Sequence, residues 1–311
     1  MNNFSVSVLI AAFNAEKFLD TTLASVSWQS VQVDQVVIVD DCSTDGTKRV
    51  VDSWKSRLPI RYIRNETNLG VGASRNIGLD NVSTELVAVL DADDIWLPSH
   101  LSILMERMVS VRTVVSPRAV VWPDGRGLVF EPKYAKDTPQ AHLQFQKLCQ
   151  DNFVFSGSLF SMKMVDEVGK YPEIRIGEDY LFWLKAVSAG FLIVKPEEIT
   201  VLYRQRSGSL SSINSVVFRD LGASIASHLQ CFNPSEQIYL HKMINDLRMR
   251  ELLCSFDEED NRRSRSFWSI LFPVIFKGSL RLKASAIVRL LGLGVLTKKS
   301  YNQLDEGQVN A

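Results

Sequence analysis

The chain has 311 residues, with 35 Lys and Arg against 35 Asp and Glu, 46% hydrophobic residues and 23% charged. This composition is globular, too apolar for a disordered chain, and lacks the basic excess of a binder that neutralises nucleic-acid phosphates. The length allows one large domain or two smaller ones with ample core.

The N-terminal half alternates strands and helices. Val6 to Ile10 is a short β-branched apolar run of the kind buried in a sheet. It is too short and too soon followed by Asn14 and Glu16 for a signal peptide, and Met1 to Ser5 carries no positive charge. Glu16 to Trp28 reads as a helix with Leu19, Leu23 and Val26 on one face. Gln35 to Val39 is a second strand, and the helix through Trp54 has Ser43 or Thr44 as its expected cap. Ile60 to Ile63, the helix Val71 to Leu79 and the strand Leu86 to Leu90 continue the pattern, and Pro98 opens another helix. Such β-α-β-α order predicts an α/β fold, a mainly parallel sheet flanked by helices. Beyond Val111 the signal loosens. Val114 to Val121 reads as one strand, Asn152 to Met162 as strand-like, Asp179 to Gly190 as a helix, Ile199 to Tyr203 as a strand, and Asn214 to Leu253 as helical. The run Asp257-Glu258-Glu259-Asp260 marks a linker or a solvated helix end. Cys42, Cys149, Cys231 and Cys254 are too scattered for a zinc site and are expected to be isolated thiols in a reducing compartment. No stretch of 18 uncharged apolar residues predicts a spanning helix.

Ligands of parallel sheets bind outside the carboxyl ends of the strands. Those ends here carry Ala11-Ala12-Phe13-Asn14, Asp40-Asp41 and Asp91-Ala92-Asp93-Asp94. Asp91 and Asp93 alternate onto one side of an extended chain, where hard oxygens suit Mg or Mn. A plain acidic cluster before the helix at Pro98 explains them equally well. A carboxylate in Asp40-Asp41 can accept from a base or ribose, or can simply serve the turn. Gly70-Val71-Gly72-Ala73-Ser74-Arg75 is neither the dinucleotide fingerprint nor a P-loop. Glu178-Asp179 opens a helix, whose N-terminus keeps a carboxylate ionised for proton abstraction or merely uses it as a cap. Tyr203-Arg204-Gln205-Arg206 with Ser207 to Ser211 suits an anion such as diphosphate, or is a polar surface loop.

In this order the segments VSVLIAAFN, VVIVDDCSTDGT, NLGVGASRNIGL, LDADDIW, GEDYLFWLKAVSAG and YRQRSGSLS resemble the family 2 glycosyltransferases, over roughly residues 4–211. The resemblance implies a GT-A fold and inverting transfer from a nucleotide-diphospho-sugar, often a UDP-sugar, to an acceptor hydroxyl. The acceptors of bacterial-type relatives are often lipid-linked, which points to polysaccharide, lipopolysaccharide or glycolipid synthesis. It implies nucleotide contacts from the backbone of Ala11, Ala12 and Phe13, base reading by Asp41, ribose and metal binding by Asp91 and Asp93, and Arg75 near the nucleotide. Asp179 becomes the catalytic base and Mn or Mg the expected cation. Many relatives carry His where this chain has Arg206. A guanidinium cannot ligate a metal, so Arg206, with Arg204, is expected to neutralise the diphosphate. Trp96, Ser156 to Ser158 and Trp183 fall where acceptor elements commonly lie, Trp183 being better explained as core.

A sugar nucleotidyltransferase would want a Gly-rich basic loop after the first strand, where Ala11 to Glu16 stand instead. A degenerate nucleotide-sugar binder would be expected to lose Asp93 or Asp179, and both are present. The expected division is a catalytic domain at 1–213 and a helical extension at 214–311. Within the extension, residues 261–299 hold nine basic side chains and no acidic one beside apolar runs. That asymmetry predicts either peripheral contact with an anionic membrane surface or a dimer interface. The expected location is cytoplasmic, at the inner face of the membrane, with no nucleic-acid partner.

Overall fold

The computed structural model describes residues 4–123, 137–205 and 215–259. Arg206 and residues 261–299 lie outside them. The chain divides into two compact units, Met1–Ser209 and Leu210–Ala311.

The first unit is built on a sheet of seven strands: β1 (Val6–Ala12), β2 (Gln35–Asp40), β3 (Ile60–Arg64), β4 (Leu86–Val89), β6 (Thr113–Val115), β8 (Leu159–Ser161) and β9 (Leu192–Val194). Their order is β3-β2-β1-β4-β8-β6-β9. All neighbours pair in parallel except those of β8. The chain steps outward from β1 to β3, then returns to place β4 on the other side of β1. That reversal opens a crevice beyond the carboxyl ends of β1 and β4, where loops leave in opposite directions.

The continuous apolar runs of β1, β2 and β4 are explained by burial of both sheet faces. Val6, Val8, Ile10, Val36, Ile38, Leu86 and Ala88 pack with Leu19 and Leu23 of α1 (Glu16–Ser27) and Val51 and Trp54 of α2 (Thr47–Trp54). The alternate residues point the other way, toward α3 (Val71–Leu79). There Gly78 lets the helix close onto Leu9, whose Cδ1 would stand 2.1 Å from a Cβ at that position. Burial of a side chain such as Leu9 stabilises by about 1.5–3 kcal/mol.

The structure adds what periodicity did not resolve. The expected strand Val114 to Val121 is two strands in different sheets, β6 and β7 (Arg118–Pro123), broken at Ser116-Pro117. β7 joins β5 (Ile95–Trp96) and β10 (Ile199–Gln205) in a second sheet of order β5-β10-β7. Of the strand-like stretch Asn152 to Met162, only β8 is extended in a ladder. Met162 already starts α6 (Met162–Val168), capped by the Ser161 hydroxyl. Helix α4 (His100–Arg107) begins two residues beyond Pro98, and α5 (Gln144–Gln150) and α7 (Glu178–Ser188) complete the unit's α-helices among the described residues. Neither Ser43 nor Thr44 is the cap: the N-cap is Gly46, and Asp45 before it accepts from Thr47 N at 3.0 Å. In the second unit α8 (Ser215–Ser227) packs on α9 (Pro234–Glu259), and the acidic run begins as the last turn of α9.

Candidate active site

Among the described residues, those expected at the site lie at or near the ends of β1, β2 and β4. Strand β1 runs on to Ala12, so Ala11 and Ala12 sit in the ladder opposite Val39 and Asp40. The loop proper starts at Phe13, which is 48% exposed. Asn14 (φ 48°) and Cys42 (φ 64°) take left-handed backbone conformations as the chain leaves the two strands. The two loops are stitched together: Asn14 N donates to Ser43 Oγ and Thr44 N donates to Asn14 Oδ1, each at 2.9 Å.

Asp40 and Asp41 have separate tasks. Asp40 is fully buried and accepts from Ser43 N, Tyr62 Oη and Arg64 Nη1. Asp41 Oδ1 accepts from Asn65 Nδ2 and Leu69 N, and its Oδ2 accepts from Gly70 N, all at 2.8 Å. One carboxylate therefore fastens the loop 65–70, which delivers Gly70 (φ 88°) to the start of α3. Leu69, beside it, stands 51% exposed.

At the end of β4, both oxygens of Asp91 are engaged. Oδ1 accepts from Arg75 Nη2 at 2.7 Å and Oδ2 from Ser156 Oγ at 3.0 Å. Asp93 is half-buried, and its carbonyl accepts from Arg204 Nε at 2.9 Å. The pairing of β5 with β10 brings this about: Ile95 lies opposite Leu202, so Arg204 falls beside Asp93. The Arg204 guanidinium lies over the rings of Phe18 and Trp122, 4.9 and 4.3 Å from their centroids. Asp94 is 1% exposed, takes Arg204 N on Oδ1, and leaves Oδ2 with no partner. Burial first, then the charges of Asp91 and Asp93, raise its carboxyl well above the ordinary range.

Helix α7 begins at Glu178, after Gly177 in the left-handed conformation. Asp179 is half-buried and accepts Tyr180 N on Oδ1 at 2.7 Å. Glu178 accepts from Arg75 Nη1 at 2.9 Å. Burial and the neighbouring Asp179 push Glu178 up to about 7 in spite of Arg75. Folding thus raises its proton affinity above the ordinary 4.5. Its contribution to stability is full below pH 4.5 and is lost as pH rises toward 7. Glu178→Gln should flatten this slope, seen by comparing urea midpoints at pH 5 and 7.5 for both proteins. An unchanged slope would show that Glu178 titrates as in the unfolded chain.

The aromatic expectations divide. Trp183 is core, as read from its helix. Trp96 is also core, 2% exposed and stacked on His100 at 4.2 Å, so it offers no face to a sugar. Ser156 reaches the site, but through Asp91. Sequence reasoning overlooked Asp94 and Glu178, each adjacent to a chosen carboxylate. Their signal was only the doubled acid in Asp93-Asp94 and Glu178-Asp179.

Among the described residues no three His, Cys, Asp or Glu side chains converge into a cage. Asp91 and Asp93 are hard oxygen donors beside the buried, partnerless Asp94 Oδ2. Such a set suits a Mg-type ion carried by one or two carboxylates together with substrate phosphates, which is how Mg is usually bound.

Residues 7–169 match the model of Glycosyl transferase family 2. The chain belongs to this family. It is similar to the amylovoran biosynthesis glycosyltransferase AmsE of Erwinia amylovora, 31% identical over 65% of this chain and 76% of that one. It is also similar to the GalNAc(5)-diNAcBac-PP-undecaprenol beta-1,3-glucosyltransferase of Campylobacter jejuni, 25% identical over 98% and 97% of the two chains. The fold matches Staphylococcus aureus TarS 1-349, solved in complex with UDP-GlcNAc, at a TM-score of 0.63 with 18% identity, over 99% and 93% of the chains. This family 2 glycosyltransferase therefore has the α/β architecture of the GT-A fold.

Proposed function

We propose that this glycosyltransferase moves a sugar, with inversion, from a UDP-sugar to an acceptor hydroxyl during synthesis of a polysaccharide or lipid-linked glycan. The observation that carries the reading is the meeting of Asp91, at the end of β4, with the Glu178–Asp179 start of α7 through one buried arginine. A candidate base thereby stands beside the strand end where a donor diphosphate belongs. The undecaprenol-linked acceptor in the name of the Campylobacter relative supports a lipid-linked acceptor, and the TarS complex supports a UDP donor.

Asp179 takes the proton of the acceptor hydroxyl. The freed oxygen attacks the anomeric carbon from the face opposite the nucleoside diphosphate, which leaves with the electron pair of the broken C–O bond. The transition state is oxocarbenium-like. Arg204 places positive charge beside the leaving group, and Arg206 follows it in the chain. Asp91 and Asp93 would hold a Mn or Mg ion, which when bound offsets charge on the diphosphate.

A hydrolysis screen across nucleotide sugars, followed by acceptor trials with the reactive donor, tests the reading. Turnover should fall by about 10²-fold or more on chelation and return with Mn or Mg, as expected when an ion supplies several kcal/mol of charge stabilisation. Full activity in chelator would remove the metal from the proposal. Failure of every UDP-sugar beside an active donor of another nucleotide would remove the UDP assignment.

A further inference from the structure

Arg75, expected near the nucleotide, is 3% exposed; Nη1 and Nη2 each hold a protein carboxylate, while its buried Nε has no partner. Nη1 reaches Glu178 Oε1 at 2.9 Å, Nη2 reaches Asp91 Oδ1 at 2.7 Å, and the guanidinium lies 5.4 Å from the centroid of the Tyr171 ring. Tyr171 in turn packs against Phe182 of α7, with ring centroids 4.3 Å apart and planes tilted by 32°. Ser156 grips the other oxygen of Asp91 at 3.0 Å. The result is a continuous chain, Ser156–Asp91–Arg75–Glu178, joining the segment before β8, the end of β4, helix α3 and the first residue of α7.

We propose that Arg75 is a positioning residue that locks the Asp91 strand end to the α7 helix start, so that donor site and base move as one body. The proposal rests on the reading of Asp179 as the base. Its chemistry requires arginine. A planar fork can serve two carboxylates in fixed directions, whereas an ammonium is a point charge that satisfies one geometry poorly when asked to span two. The location requires it as well. Asp91 and Glu178 are 87 residues apart in sequence and belong to elements that do not pair in a sheet. Packing brings α3 against Glu178 so closely that a Cβ on Gly72 would stand 3.2 Å from Glu178 Cγ and 3.3 Å from the Pro172 carbonyl. Asp179 follows Glu178 directly, so any drift of Glu178 shifts the base relative to the donor. Misplacement by about 1 Å can cost 10²-fold in rate.

The test uses full-length Arg75→Lys, Glu178→Ala and their double variant, with Gly72→Ala as a milder probe should Arg75→Lys fold poorly. UDP affinity is measured by calorimetry, and transfer kinetics are measured with the donor found in the screen. Arg75→Lys and Glu178→Ala, which leaves Arg75 Nη1 with no acceptor at 178, should each lower kcat by about 30–100-fold, with UDP affinity and donor KM within about threefold, because positioning rather than nucleotide contact is lost. The double variant should be no worse than the poorer single, since groups acting as a unit are not additive. Gly72→Ala should lower kcat by about 5–10-fold with the same unchanged UDP affinity. A tenfold loss of UDP affinity in Arg75→Lys with kcat retained would make Arg75 a nucleotide ligand and overturn the proposal. Unchanged kcat, or full multiplication of the single effects in the double, would also overturn it. Failure of the base reading itself would appear separately, as an active Asp179→Asn.

Discussion

Asp179→Asn should lower the turnover of sugar transfer by about 10²–10⁴-fold, the range a positioned general base contributes. Nucleotide affinity should stay within a few fold. Asn preserves the size of the side chain and can still accept the hydrogen bond from Tyr180 N, which is 2.7 Å from Asp179 Oδ1. It cannot take a proton at neutral pH. The neighbouring Glu178 is no substitute, because it is buried and turned toward Arg75. The measurement is kcat for the variant at saturating donor and acceptor, beside its dissociation constant for UDP. Turnover near that of the unaltered enzyme would end the assignment of Asp179 as base.

Asp41→Ala should destabilise the protein by about 3 kcal/mol. It removes the acceptor of two backbone N–H groups, Leu69 and Gly70, and of the Asn65 amide. A donor left buried without an acceptor costs about 1–3 kcal/mol. Asn65 Nδ2 retains a bond to Ser74 Oγ at 3.1 Å, which limits its share. At about 2–4 °C per kcal/mol for a domain of this size, Tm should fall by about 6–12 °C. Asp41→Asn should lose roughly half as much, since its carbonyl oxygen replaces one carboxylate oxygen while its NH₂ faces a backbone donor. UDP affinity should fall in both, because the loop 65–70 is what Asp41 holds in place. If Asp41 served only to read the base, both variants would lose affinity at unchanged Tm. Thermal melts with and without UDP separate the two cases.

Much of this enzyme could be read from single segments. The β-branched runs of β1, β2 and β4 announced strands covered on both faces, and Leu19 and Leu23 announced the helix that covers one of them. Helix α3 runs over Val71–Leu79 as expected. Local periodicity carries that information because burial acts on each residue where it stands. Where a segment was short or met a partner far along the chain, the reading failed. Strands β5 and β9 have two and three residues, too few to show alternation, and exist because β10 and β6 supply their hydrogen bonds. Trp96 looked available to a sugar until β5 turned it inward onto His100.

The sequence by itself determined the sheet-and-helix order, the acidic strand ends and the family likeness, since each element and strand end is written in a short run of residues and the likeness in the order of such runs along 4–211. The tertiary structure alone decided what those acids do. It spent Asp41 on a loop, buried Asp94, and aimed Arg75 at Asp91, 16 residues away, and at Glu178, 103 residues away. Periodicity records which face of an element avoids water. It holds no record of which buried charge will meet which across the crevice, because that depends on where β4 and α7 come to rest once the core has packed.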